Sequence, residues 1–234
     1  YPGTDNEVSS GYVQLKLDWI NDGFHGRDDA LQITQSRSAA KSCSNAHQEG
    51  DSVTVNQGSE STQATVEKLG SGIAILVEVG VSIPLTTLND IATTWDNTIE
   101  PTVTNYFGSI PDIDDTCTVE LLILSIDGGG GIGGYFNPGL SSAREIIFMD
   151  SDDLSWRNTI ISHEFAHLLH SARDPGEYLW IDEGAADMAS YLTFGLTNTL
   201  TGHANSWTES SNLSVRWWNQ RIGDYGAGFL MMLY

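Results

Sequence analysis

The sequence is poor in positive charge. Its 234 residues carry 10 Lys and Arg against 31 Asp and Glu, a formal net charge of −21. Lysine occurs only at Lys16, Lys41 and Lys68. Such a chain repels a phosphate backbone, and an anionic membrane surface suits it no better, so nucleic acid is excluded as a partner. No apolar run approaches the ~20 residues that a membrane-spanning helix needs. Cysteine is equally scarce. Cys43 and Cys117 lack metal-ligand spacing and read as one disulfide of a secreted protein, with two buried thiols as the other reading. Internal repeats and low-complexity tracts are missing too. What remains, 40% hydrophobic residues and seven tryptophans, suffices for the core of one large domain.

The acidic excess suits a cation-rich, extracellular setting. The chain opens on Tyr1 without an export leader, and residues 223–234 read as a helix with no stop signal. The expectation is a secreted protein from which a leader is absent and whose C-terminal end is truncated.

Residues 1–62 are polar, with period-two alternation at Val13, Leu15 and Leu17 and again at Val53 and Val55, and form a small β-rich segment. From residue 63 the texture changes. Apolar runs at 73–79, 119–126 and 145–149 predict buried strands. Pro84 opens a predicted helix over 85–106, with Leu88, Ile91, Trp95 and Ile99 at helical spacing and a kink or restart at Pro101. Two more helices are predicted at 155–173 and 177–194, the second ended by Gly195. This alternation describes an α/β (α+β) fold.

The chemistry concentrates at His163-Glu164-Phe165-Ala166-His167. On a helix, positions i and i+4 lie about 40° apart on one face and ~6 Å apart along the axis, so both imidazoles reach one tetrahedral Zn²⁺. The carboxylate between them is placed to take a proton from an attacking water. Ile161, Phe165, Leu168 and Leu169 supply the apolar face that buries such a helix. For a third ligand, His170 lies two turns beyond His163, and the three-histidine pattern fails because it needs Gly at 170 and His at 173, where the chain has His170 and Arg173. Glu183, in the first turns of the next helix, is the better candidate. Asp187, one turn on, shares its face and can fix a zinc histidine's tautomer.

This motif, followed by Trp180-Ile181-Asp182-Glu183-Gly184-Ala185-Ala186-Asp187, resembles the gluzincin metallopeptidases, and most narrowly the hyicolysin-type neutral metallopeptidases. Gly133-Gly134-Tyr135-Phe136-Asn137-Pro138 and Glu145-Ile146-Ile147-Phe148-Met149-Asp150 precede the motif in that family's order. Tyr225-Gly226-Ala227-Gly228 resembles both that family and the YxxG segment of aminopeptidase N-type enzymes. The resemblance covers residues 64–234 and is absent over 1–62. It implies a zincin-like catalytic domain over 63–234, with a twisted mixed sheet, a backing helix and the HExxH helix. It also implies a zinc endopeptidase acting on protein or peptide substrates. His163, His167 and Glu183 would hold zinc, and Glu164 would be general base and then proton donor. Tyr225 would stabilise the oxyanion, with His203, placed in a polar loop over 201–205, as the rival donor. Tyr135, Phe136 and Asn137 would form an edge strand for extended substrate, unless they make only a glycine-rich surface hairpin.

Two other readings stay open. An aminopeptidase would need an acidic anchor for the substrate amine, and residues 131–137 contain no glutamate. A surface or adhesin module with structural zinc would have no use for Glu164. Calcium is the second cation the chain allows, at the carboxylates of 112–115 and 150–153, although neither matches the twelve-residue loop and solvated acidic turns are the plainer reading. Asn212 begins a lone glycosylation sequon.

Overall fold

The computed structural model describes residues 43–57, 60–129, 131–140, 143–209, 214–215 and 217–234. The strand expected around Val13, Leu15 and Leu17 and the sequon at Asn212 lie outside the described residues. Two compact units emerge: Ser42–Glu177 with Leu192–Phe194, and Tyr178–Tyr191 with Gly195–Tyr234.

The first unit is built on a six-stranded mixed sheet, which places the protein in the α/β class. In chain order its strands are β1 (Ser52–Gln57), β2 (Glu60–Leu69), β3 (Ile73–Glu78), β4 (Val119–Leu124), β5 (Gly134–Phe136) and β6 (Ile146–Asp150). Their spatial order is β1-β2-β3-β4-β6-β5. β1, β2 and β3 form an antiparallel meander, β3, β4 and β6 run parallel, and β5 returns antiparallel along β6. The parallel strands are the three apolar runs read from the sequence, and β4 and β6 are buried along their whole length. A strand covered on both faces needs such a continuous run. β1 and the first residues of β2, which fall within 1–62, belong to this same sheet.

One face of the sheet carries Val55, Val66, Leu76, Leu122 and Phe148 in a single apolar cluster. The sheet curls enough for Gln57, at the end of β1, to donate from Nε2 to the Tyr135 hydroxyl at 2.9 Å. The connection from β3 to β4 holds α1 (Leu85–Thr94) and α2 (Glu100–Phe107), separated by a π-helical turn, Trp95–Ile99. Pro101 has no amide to give and sits at the start of α2. The chain accommodates it by widening one turn, with the Glu100 N–H bonding to the Trp95 carbonyl. The wide turn points Trp95 inward, fully buried, against Phe165 at 4.5 Å between ring centres. Cys43 and Cys117 form a disulfide.

A buried ion network anchors the start of β4. Glu120 has no solvent exposure and accepts from Arg144 Nε at 2.6 Å and from His47 Nε2 at 2.8 Å. Burial alone would raise the Glu120 carboxyl, but the hydrogen bonds from His47 and Arg144 outweigh it and hold it below the usual range. The same Glu120 hydrogen bond raises His47. The carboxylate's contribution to stability is therefore present above ordinary carboxylate values and lost as pH falls through its lowered pKa. The histidine's is present below about 6.5 and lost as pH rises through its raised value. Thermal unfolding from pH 5 to 9 should show the parent losing its stability advantage over His47→Gln as pH rises past the His47 pKa. A constant difference across that range would remove His47 from the network's energetics.

The second unit contains most of α4 (Leu179–Phe194), together with α5 (Asn198–Glu209) and α6 (Ile222–Leu233). Leu200, Ala204, Phe229, Leu230 and Leu233 form its core. Glycines allow the helices to touch backbone to backbone. A Cβ on Gly184 would stand 2.6 Å from the Gly228 carbonyl carbon, and one on Gly226 would stand 1.9 Å from the His203 carbonyl oxygen. Gly226→Ala must therefore spread α5 from α6. We expect a loss of about 3 kcal/mol, the upper end of overpacking costs, read in urea unfolding. A midpoint equal to the parent's would show that the two helices do not pack this closely.

Candidate metal centre

The HExxH residues lie on α3 (Arg157–Ser171), entered through a short 3-10 turn at Leu154–Trp156. Ile161, Phe165, Leu168 and Leu169 are buried on this helix, and the contact of Phe165 with Trp95 fixes its rotation. With the helix held this way, Nε2 of His163 and Nε2 of His167 lie 3.1 Å apart, their rings edge to face. Two nitrogens bound at ~2.05 Å to one tetrahedral zinc stand about 3.3 Å apart. The histidine pair therefore has the spacing that a shared metal imposes. Glu183, the third ligand expected from the sequence, lies on α4 in the second unit. Two imidazoles and a carboxylate form a donor set that suits zinc.

Glu164 and His167 are each 7% exposed. β5 passes directly beside Glu164. A Cβ on Gly134 would meet the Phe148 carbonyl oxygen at 2.7 Å, an Ile160 methyl at 2.5 Å and Glu164 Cγ at 3.4 Å. Only glycine lets the strand lie this close to the helix. Tyr135 and Asn137 turn their polar atoms toward Gln57, Asn137 donating from Nδ2 to Gln57 Oε1 at 3.1 Å, and Tyr135 stacks on Phe148 at 4.5 Å. Burial raises the Tyr135 phenol. These side chains hold the strand in place, while β5 terminates the sheet and, among the described residues, no further strand pairs with its outer edge.

In the second unit the structure corrects one expectation. Residues 201–205 are not a polar loop but the middle of α5. Leu200, Ala204 and Trp207 at three-to-four spacing make the apolar stripe that Thr201, Gly202 and Asn205 disguise in the sequence. The helix brings His203 Nδ1 to 2.7 Å from Oδ2 of Asp187, which is 1% exposed. The His203 ring lies 5.1 Å from that of Tyr225, and Trp218 packs edge-on against Tyr225 at 4.8 Å. Tyr225 occupies the first turn of α6. Buried Asp224 anchors that turn, accepting the N–H of Asn219 at 2.9 Å and of Arg221 at 3.1 Å. Burial opposes ionisation of Asp224, yet the Arg221 hydrogen bonds prevail and lower its pKa. The two candidate proton donors of the sequence reading, Tyr225 and His203, are thus neighbours. The Asp187–His203 pair was missed because it depends on reading α5 as a helix.

The chain matches no protein-family model. Its likeness among characterised proteins is to a metalloprotease. That protein is the neutral metalloprotease ShpI of Staphylococcus hyicus, 27% identical over 179 residues. The match covers 62% of this chain and 41% of ShpI, so the chain spans less than half the length of the relative it matches.

Proposed function

We propose that the chain carries the catalytic site of a secreted, zinc-dependent endopeptidase of the gluzincin type, with His163, His167 and Glu183 as its metal ligands. The observation that carries the reading is the 3.1 Å approach of the two imidazole Nε2 atoms on the helix turn that holds Glu164. The likeness to a neutral metalloprotease agrees with it. When bound, zinc supplies Lewis acidity, polarising a carbonyl and making water a stronger nucleophile at neutral pH.

The protein's own groups divide the remaining work. Glu164 accepts the proton of the attacking water and returns it to the leaving amine. Asp187, whose Oδ2 lies 2.7 Å from His203 Nδ1, would fix the tautomer of a zinc histidine. Tyr225 donates to the developing oxyanion, and the adjacent His203 ring shares that polar surround. The outer edge of β5, at Tyr135, Phe136 and Asn137, offers main-chain hydrogen bonds to an extended peptide. Export fits the Cys43–Cys117 disulfide, since such bonds persist in oxidising compartments.

The test compares an internally quenched peptide blocked at both ends with a free aminoacyl amide, using the zinc-loaded chain. Cleavage of the blocked peptide is the expected result. Turnover of the aminoacyl amide alone would make the protein an aminopeptidase, and cleavage of neither would overturn the catalytic reading.

A further inference from the structure

A second group of carboxylates, within the sheet-bearing unit, has no place in that chemistry. Asp112, Asp114 and Glu145 each bring one oxygen within 4.8 Å of the others. Glu145 immediately precedes β6, and the two aspartates lie 33 and 31 residues earlier, in the loop that leads into β4. Groups of the loop donate to all three carboxylates. Ile113 N–H donates to Glu145 Oε1 at 2.7 Å, Cys117 N–H to Asp112 Oδ1 at 3.0 Å, and the Thr116 hydroxyl to Asp114 Oδ1 at 2.7 Å.

The other Glu145 oxygen decides what this cluster is. Glu145 is 2% exposed, and its Oε2 is buried without a hydrogen-bond partner. Native structures leave few buried acceptors in that condition, and a cation is one partner that would satisfy such an atom. Arg144, the adjacent cation, is committed to Glu120.

We propose that Asp112, Asp114 and Glu145 form a calcium site that ties the loop before β4 to the start of β6. The donors are all hard oxygens and include no imidazole or thiolate, which favours calcium over zinc. Magnesium holds its waters and demands strict octahedral geometry, which suits a cluster of carboxylates anchored by separate backbone contacts less well. Cys117 lies in the same loop and is bonded to Cys43, so calcium and the covalent bond would secure the loop together.

The test uses the full chain in calcium-free buffer containing zinc, so that the HExxH site stays loaded and no chelator is needed. Equilibrium dialysis with radiolabelled calcium should find a bound ion that Asp114→Asn and Glu145→Gln each weaken at least tenfold. At 100 times Kd, calcium should raise the parent's Tm by about 5–10 °C, and magnesium at the same concentration by far less. Asp112→Asn is a third variant, since asparagine tolerates the left-handed backbone at that position, where φ is 53°. Binding unchanged in all three variants, no calcium-dependent rise in Tm, or an equal rise with magnesium would each overturn the assignment.

Discussion

Glu164→Gln is expected to lower the rate of peptide hydrolysis by about 10³–10⁴-fold while zinc stays bound at the parental stoichiometry. Glutamine matches glutamate in volume and can still hydrogen-bond to water, but it cannot take a proton. The residue is 7% exposed and lies beside Gly134 on β5, so an isosteric change should leave its packing undisturbed. The loss corresponds to about 4–5.5 kcal/mol of transition-state stabilisation, with ground-state binding little altered. Measuring kcat and KM on a blocked peptide, together with the metal content, separates the possibilities. Activity within tenfold of the parent would remove Glu164 from the mechanism. Loss of zinc along with activity would make its role structural.

Much of the fold was legible because its signals are local. The runs that became β3, β4 and β6 are continuous in sequence, and the HExxH spacing encodes a helix face directly. Other features rest on contacts between distant positions. The 3.1 Å approach of the two histidines follows from the motif, whereas the need for glycine at 134 appears only once β5 lies against α3. The wide turn at Trp95–Ile99 is a response to Pro101 combined with the burial of Trp95, where the sequence suggested a kink or restart. His203 shows how composition misleads. Polar residues around it suggested a loop, but the stripe of Leu200, Ala204 and Trp207 set the helix and with it the Asp187 pair. The acidic loop illustrates the same point. That Glu145, from the start of another strand, joins Asp112 and Asp114 is visible only in the fold.

Glu183→Ala is expected to weaken zinc binding by more than about 100-fold, because altering the outer partners of a zinc ligand alone already costs 10–100-fold. Glu183 would be the only anionic member of the donor set, the two imidazoles being neutral, so its removal takes away both a bond and half of the charge balance. Asp182, its sequence neighbour, points a helical step of about 100° away, so Asp182→Ala should leave affinity nearly unchanged. Asp187→Asn should fall between them, at about 10–100-fold, if its carboxylate braces a zinc histidine. His170→Ala completes the series, since His170 is the other histidine near the motif. Competition titrations with a chromophoric chelator rank all four variants without recourse to activity. If His170→Ala abolished binding and Glu183→Ala did not, the third ligand would be His170 and the downstream-glutamate class would be the wrong one. The proposed ordering, Glu183 most costly, then Asp187, with Asp182 and His170 near the parent, is what a site of two histidines and one downstream glutamate requires.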